Sequence, residues 1–178
     1  MGIGLAAAYQ KDFAGAANAF AILIEKPVSD LNVDEAFLLL PVARAEVSDA
    51  PAAVTAYQNA IRHYENKIQT LRDLQAKITA GEFGDTLTTL KQMDLRSAEI
   101  YGLSNRTPDF LRDNYQNLLA MRERAGALGL SARFTTINVE YNNQLRELIR
   151  QNIESRIEIL NSYLSQAKFG VAQLYDKP

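Results

Sequence analysis

From Ser131 to about Tyr175 the chain holds no proline and one glycine, Gly170. Apolar residues recur at Phe134, Ile137, Tyr141, Leu145, Leu148/Ile149, Ile153, Ile157, Leu160, Leu164, Ala167, Val171 and Leu174. From Ile153 onward the steps alternate four and three, which lays the apolar side chains along one seam of a helix, as in a coiled coil or a long bundle helix. At 1.5 Å per residue a helix over this stretch is on the order of 70 Å long, more than twice the width of a small domain. Its seam therefore needs a comparably long partner. One candidate lies in the same chain: Ile61, Tyr64, Ile68, Leu71, Leu74 and Ile78 continue an apolar stripe over a helix expected from Ala52 to Thr79, about 40 Å long. We expect the two to lie antiparallel, and we keep open that the C-terminal seam pairs two chains as a homodimer.

Composition agrees with helix. The 178 residues are 47% apolar and 22% charged, with nine glycines and five prolines, and Ala, Leu, Gln, Glu, Arg and Asn recur throughout. Strand-like alternation of Val, Ile and Thr is absent, so an all-α fold is expected. There is no cysteine, which excludes disulfides, thiolate metal sites and thiol nucleophiles. Residues 1–50 carry three Lys/Arg against seven Asp/Glu, about −4, and the remainder sixteen against fourteen, about +2. Neither balance points to nucleic acid. No run is apolar enough to span a membrane and no signal peptide is recognisable, so direct membrane insertion is not expected. The chain enters a helical pattern at Met1-Gly2 without a lead-in. We expect a C-terminal fragment of a longer protein, with any targeting segment outside it.

The N-terminal third reads as two helical hairpins. Ile3, Gly4 and Ala7 mark one face of a first helix, and small residues at Gly4 and Ala7 let a second helix approach closely. Lys11-Asp12-Phe13 makes the turn, Ala16, Phe20 and Leu23 follow at helical spacing, and Pro27 ends the helix. Phe13 and Phe20 are the expected large core residues. A third helix is expected to begin near Asp34, with Asp34 as its cap and Glu35 in its first turn, carrying Phe37, Leu38, Leu40, Val42 and Ala43. Ser48-Asp49-Ala50-Pro51 forms the next turn, with Asp or Ser capping and Pro51 in the first turn of the following helix. Ala53, Tyr57 and Ala60 then repeat the spacing of Ala16, Phe20 and Leu23 at an offset of 37.

Ile3, Gly4, Ala7, Asp12, Phe13, Ala16, Phe20, Leu23 and Pro27, followed by Leu40, Asp49, Ala53, Tyr57 and Ala60, resemble the tetratricopeptide repeat, a helix-turn-helix unit of about 34 residues. The second copy departs from the pattern, with Pro41 and Arg44 at positions where small or apolar residues are usual and extra residues around Leu31-Asn32-Val33. The resemblance covers roughly a third of the chain. It implies two hairpins over residues 1–62, and the apolar stripes beyond them imply, over 63–178, a bundle or coiled-coil module sharing the long helix from about 52 to 79. The first hairpin would be the last well-formed unit of an array whose earlier members precede Met1. The order of helices is similar to that of bacterial envelope proteins joining such repeats to a coiled-coil tail, so a periplasmic or envelope location is the expectation, with the cytoplasm open.

Short motifs yield to plainer readings. Gly2-Ile3-Gly4-Leu5-Ala6-Ala7 fits a loose dinucleotide fingerprint, but no strand precedes it. Asp30-Leu31-Asn32-Val33-Asp34 imitates a calcium loop, yet Glu35 stands where the turn glycine belongs and Pro41 where the closing glutamate belongs. His63 is the sole histidine, and Glu65 beside it does not face it on a helix. Arg106, Arg112, Arg122, Arg124 and Arg133 are interleaved with Asp109, Asp113 and Glu123, a solvated face rather than an anion site. No metal, cofactor or catalytic constellation is recognised, and an enzyme is not expected. A protein or peptide partner is. The resemblance places Leu5, Ala8 and Tyr9 from the first copy and Glu35, Leu38, Val42, Ala45 and Glu46 from the second on the concave face that this family uses for peptides. These residues either line such a groove or pack against preceding repeats.

Overall fold

A computed structural model describes residues 1–25, 31–47, 49–82, 117, 120, 121, 123–129 and 131–176. The protein is all-α, with no strand among these residues. The helices are α1 (Gly2–Tyr9), α2 (Phe13–Ile24), α3 (Leu31–Glu46), α4 (Ala50–Thr79) and α5 (Ser131–Tyr175). Two units divide the chain, Met1–Thr70 with Ile157–Pro178, and Leu71–Arg156. The spacing also predicts a loop at 80–85, short helices within 86–104 and a helix from Thr107 to near Gly126; residues 83–116, 118, 119 and 122 lie outside the described residues, and 117, 120, 121 and 123–127 are helical.

In the first unit, α1 and α2 form the expected hairpin. Lys11 takes a left-handed conformation (φ 61°), its N–H donates to the carbonyl of Ala8 and that of Asp12 to Ala7, which closes the end of α1. Asp12 then opens α2, its Oδ1 accepting from the Gly15 N–H at 2.8 Å. Gly4 is buried against Phe20: a Cβ there would lie 2.5 Å from the ring. The small residue thus permits the close approach that its sequence position suggested. Phe20 joins Ala16, Ala17, Ala36, Leu40, Ala43 and Ala56 in one core. Phe13, expected in that core, is only half-buried, because it is the first residue of α2 and sits at the turn end of the hairpin.

The helix α3 does not start at Asp34. It is already helical at Leu31, so Asp34 lies in the first turn with its side chain buried. Pro41 sits inside α3, fully buried, and offers no N–H to the carbonyl of Phe37 one turn earlier. Asp49 caps α4 as expected, its Oδ1 accepting from the Ala52 N–H at 3.2 Å. Along α4 the buried stripe runs Ala53, Ala56, Tyr57, Ala60, Tyr64, Lys67, Ile68, Leu71, Leu74 and Ile78, with Ile61 at its half-buried margin. Its end repeats the geometry at Lys11, now with Gly81 (φ 92°), whose N–H donates to Ile78 while that of Glu82 donates to Lys77.

Within the first unit the C-terminal part of α5 runs antiparallel to α4. Tyr57 lies against Gly170, Tyr64 against Tyr163 with ring centroids 5.8 Å apart, and Glu65 pairs with Lys168 at 2.9 Å. Rising numbers on α4 meet falling numbers on α5. The buried line of α5 shares Ile153, Leu160 and Ala167 with the apolar seam read in the sequence and adds Arg156 and Gly170, while Ile157, Leu164 and Val171 are half-buried on its flank. In the second unit, Leu71, Leu74 and Ile78 of α4 and Ile149 and Ile153 of α5 are buried.

Candidate functional site

The most concentrated chemistry among the described residues lies where α3 meets α4. His63 and Lys67 are four residues apart on α4, so they share a face, and Tyr64 is within one turn of both. Across from them Asp34 has no exposed side-chain surface. Lys67 Nζ donates to both carboxylate oxygens at 2.8 Å and His63 Nε2 donates to Oδ1 at 2.7 Å. The Tyr64 hydroxyl donates to the Asp34 backbone carbonyl at 2.6 Å. A buried carboxylate demands such partners, since removal from water costs several kcal/mol unless charge and hydrogen bonds offset it.

Aromatic rings enclose the cluster. Phe37 stacks on His63 with centroids 3.9 Å apart and planes 13° from parallel, and Tyr64 meets the same imidazole edge-on at 5.4 Å. Burial, and then the charge of Lys67, lower the His63 pKa from its ordinary 6.5 to about 4. Burial also raises the Tyr64 phenol, followed by Tyr163 and Glu35. At neutral pH His63 is therefore uncharged, with its Nε2 proton committed to Asp34. Such a pair holds helices together; its carboxylate is out of solvent's reach and the proton on its donor nitrogen is already used.

The other face of Phe37's surroundings is an open groove of about 530 Å³, lined by Ile24, Phe37, Leu40, Ala52, Ala56 and Asn59 among others. Arg44 and Asp49, 3.7 Å apart, also border it. None of the eight residues that the sequence places on the concave face lines this groove. Of those eight, Leu5 and Ala8 lean on the shared core, Glu35, Leu38 and Ala45 are half-buried, and Tyr9, Val42 and Glu46 are exposed, Tyr9 at 89%.

The remaining sequence candidates fall into place by their surroundings. Asp34, read as a cap or the end of a calcium-like loop, is occupied by Lys67 and His63. Among the described residues no three acidic or histidine side chains converge to hold a metal ion, and no helix is long and apolar enough to cross a membrane. Arg124 is exposed, whereas Arg106, Arg112, Arg122, Asp109 and Asp113 lie outside the described residues. The C-terminal seam is covered within the chain, with Ile153, Leu160 and Ala167 wholly buried.

The sequence did hold a signal for the Asp34 cluster. Lys67 falls inside the apolar stripe between Tyr64 and Leu71, and Asp34 sits between Val33 and Ala36, both buried. A basic and an acidic residue, each embedded in a face that must be buried, are candidates for each other. No family model matches the chain, and neither a curated protein nor a solved structure matches it.

Proposed function

We propose that the protein is a non-catalytic interaction scaffold that holds a peptide or protein partner on its tetratricopeptide-like helices. The observation that carries this reading is the pair of hairpins α1–α2 and α3–α4 joined through one core, with Tyr9 of α1 exposed and, on α3, Val42 exposed one turn from half-buried Leu38. Large side chains that a fold leaves uncovered on a rigid helical frame are the anchors on which partner binding usually concentrates. The buried commitments of the sole histidine support a structural rather than catalytic use of that residue. A bacterial envelope setting, with the long helices giving reach, belongs to the same reading.

The test is selection of peptides from a displayed library on the purified chain, followed by affinities from fluorescence polarisation. Leu38→Asp with Tyr9→Ala is expected to weaken the selected peptides at least tenfold while circular dichroism and melting stay unchanged. Equal binding by the variant would move the site off α1 and α3, and failure to select any peptide would count against the scaffold reading itself.

A further inference from the structure

We propose that the Asp34–Lys67–His63 cluster is an acid-released lock between α3 and α4, closed only while His63 carries no charge. Asp34 contributes one negative charge and Lys67 one positive charge, at 2.8 Å and with side chains 0% and 5% exposed. These two cancel, and a neutral imidazole adds no charge beside them. A proton on His63 adds a positive charge next to Lys67, with 23% of the His63 side chain left to water to screen it.

The groups that face the imidazole from each element favour that neutral state. From α3 come Asp34 and the Phe37 ring, which contributes no charge, with half-buried Glu35 near enough to act on the Tyr64 phenol. From α4 come Tyr64, whose phenol stays protonated, and Lys67, whose charge repels an imidazolium. From α5, Tyr163 packs on Tyr64 rather than on His63. Among the described residues Asp34 is the carboxylate that meets the imidazole, and Lys67 already donates to both of its oxygens.

The direction of the effect follows from linkage. Folding lowers the His63 pKa from 6.5 to about 4, so the unfolded or opened chain binds the proton first as pH falls. The lock's contribution is complete above pH 6.5, is lost progressively below it, and is gone by pH 4. Each pH unit in that window moves the closed-to-open ratio about tenfold, a few hundredfold in total. Because α3 carries Leu38 and Val42 as well as Asp34, opening would loosen that helix in acid. The lock stands independently of whether those residues hold a partner.

The chain's single histidine makes the test direct. In the folded wild-type protein the one imidazole resonance should titrate near pH 4 by NMR. Amide exchange in α3, corrected for the intrinsic rate, should lose a few hundredfold of protection between pH 6.5 and 4. His63→Gln keeps an N–H that can reach Asp34 but does not titrate, and its α3 protection should change far less over the same range. Titration at or above pH 6.5, or equal pH dependence in wild type and variant, would overturn the proposal. Should His63→Gln fail to fold, the wild-type imidazole titration decides alone.

Discussion

In each hairpin an aromatic ring of the second helix lies against a glycine, but the two glycines come from different places. In the first hairpin Phe20 of α2 meets Gly4 of α1, its own partner helix. In the second, Tyr57 of α4 occupies the position 37 residues later and meets Gly170 of α5, from the far end of the chain. The position 37 residues after Gly4 is Pro41, buried within α3. A pyrrolidine cannot give the flat, close surface of a glycine backbone, and α5 supplies that surface instead. The second hairpin is further joined by a buried ion pair, whereas Phe20, Ala16 and Ala17 join the first through apolar contact. The second hairpin, with its buried proline, is thus the one that receives the long C-terminal helix.

The sharpest way to break this comparison is to remove one charge from the second seam. Lys67→Met leaves the Asp34 carboxylate buried without its cation, and should cost about 3–5 kcal/mol in chemical denaturation. Asp34→Leu combined with Lys67→Met replaces the pair by apolar volume and should restore most of that loss. A polar seam would then be shown to be convertible into the kind that closes the first hairpin. A cost below about 1 kcal/mol for the single change would instead place the pair in solvent.

The glycine contacts offer a smaller and more symmetrical test. Gly170→Ala pushes a methyl into the Tyr57 ring and hydroxyl, and Gly4→Ala pushes one into Phe20 at 2.5–3.0 Å. Overpacking of this kind costs about 1–3 kcal/mol, from which the gain in helix propensity, about 1 kcal/mol, is subtracted. Gly170→Ala should be the costlier, because the three nearest Tyr57 atoms crowd the added carbon more closely than the three nearest Phe20 atoms crowd the one at Gly4. Tyr57→Leu should relieve Gly170→Ala and leave Gly4→Ala unaffected, with Phe20→Leu doing the reverse. Denaturant melts of the four pairs give the coupling energies, and cross-relief would show that the two contacts are one.

What the sequence made legible was local. The all-α class, the two long helices, the cap at Asp49 and the close approach at Gly4 follow from spacing and residue size within one or two turns. Asp34 was misread as a cap because an acidic residue near a helix start is ordinarily one, and its real partner Lys67 lies 33 residues away. The seam of α5 was read in part: Ile153, Leu160 and Ala167 are buried as expected, but Arg156, half-buried Tyr163 and Gly170, which recur every seven residues, are not aliphatic, so the pattern followed Ile157, Leu164 and Val171 on the flank instead. Tyr163 and Gly170 face Tyr64 and Tyr57, aromatic partners that no spacing rule within α5 could specify. For the concave face, the family pattern gave positions, and burial then separated Leu5 and Ala8, which the core uses, from Tyr9 and Val42, which it does not.

The smallest effect tests the same contrast at the helix ends. Both α1 and α4 finish with a residue in the left-handed region, Lys11 at φ 61° and Gly81 at φ 92°, and with the same two N–H donations to carbonyls of the last turn. Only the glycine adopts that conformation without a clash between its Cβ and the backbone. Lys11→Gly removes the strain at the end of α1 but gives the unfolded chain more freedom, so the net gain should be about 0.5–1 kcal/mol. At Gly81 a Cβ would meet nothing within 4 Å, so Gly81→Ala isolates the conformational cost and should lose about 1 kcal/mol. Thermal melts of the two single variants should therefore move in opposite directions. If Lys11→Gly lowers the melting temperature, the lysine side chain contributes more at that turn than its backbone costs, and the short α1 is held by its end as well as by Gly4.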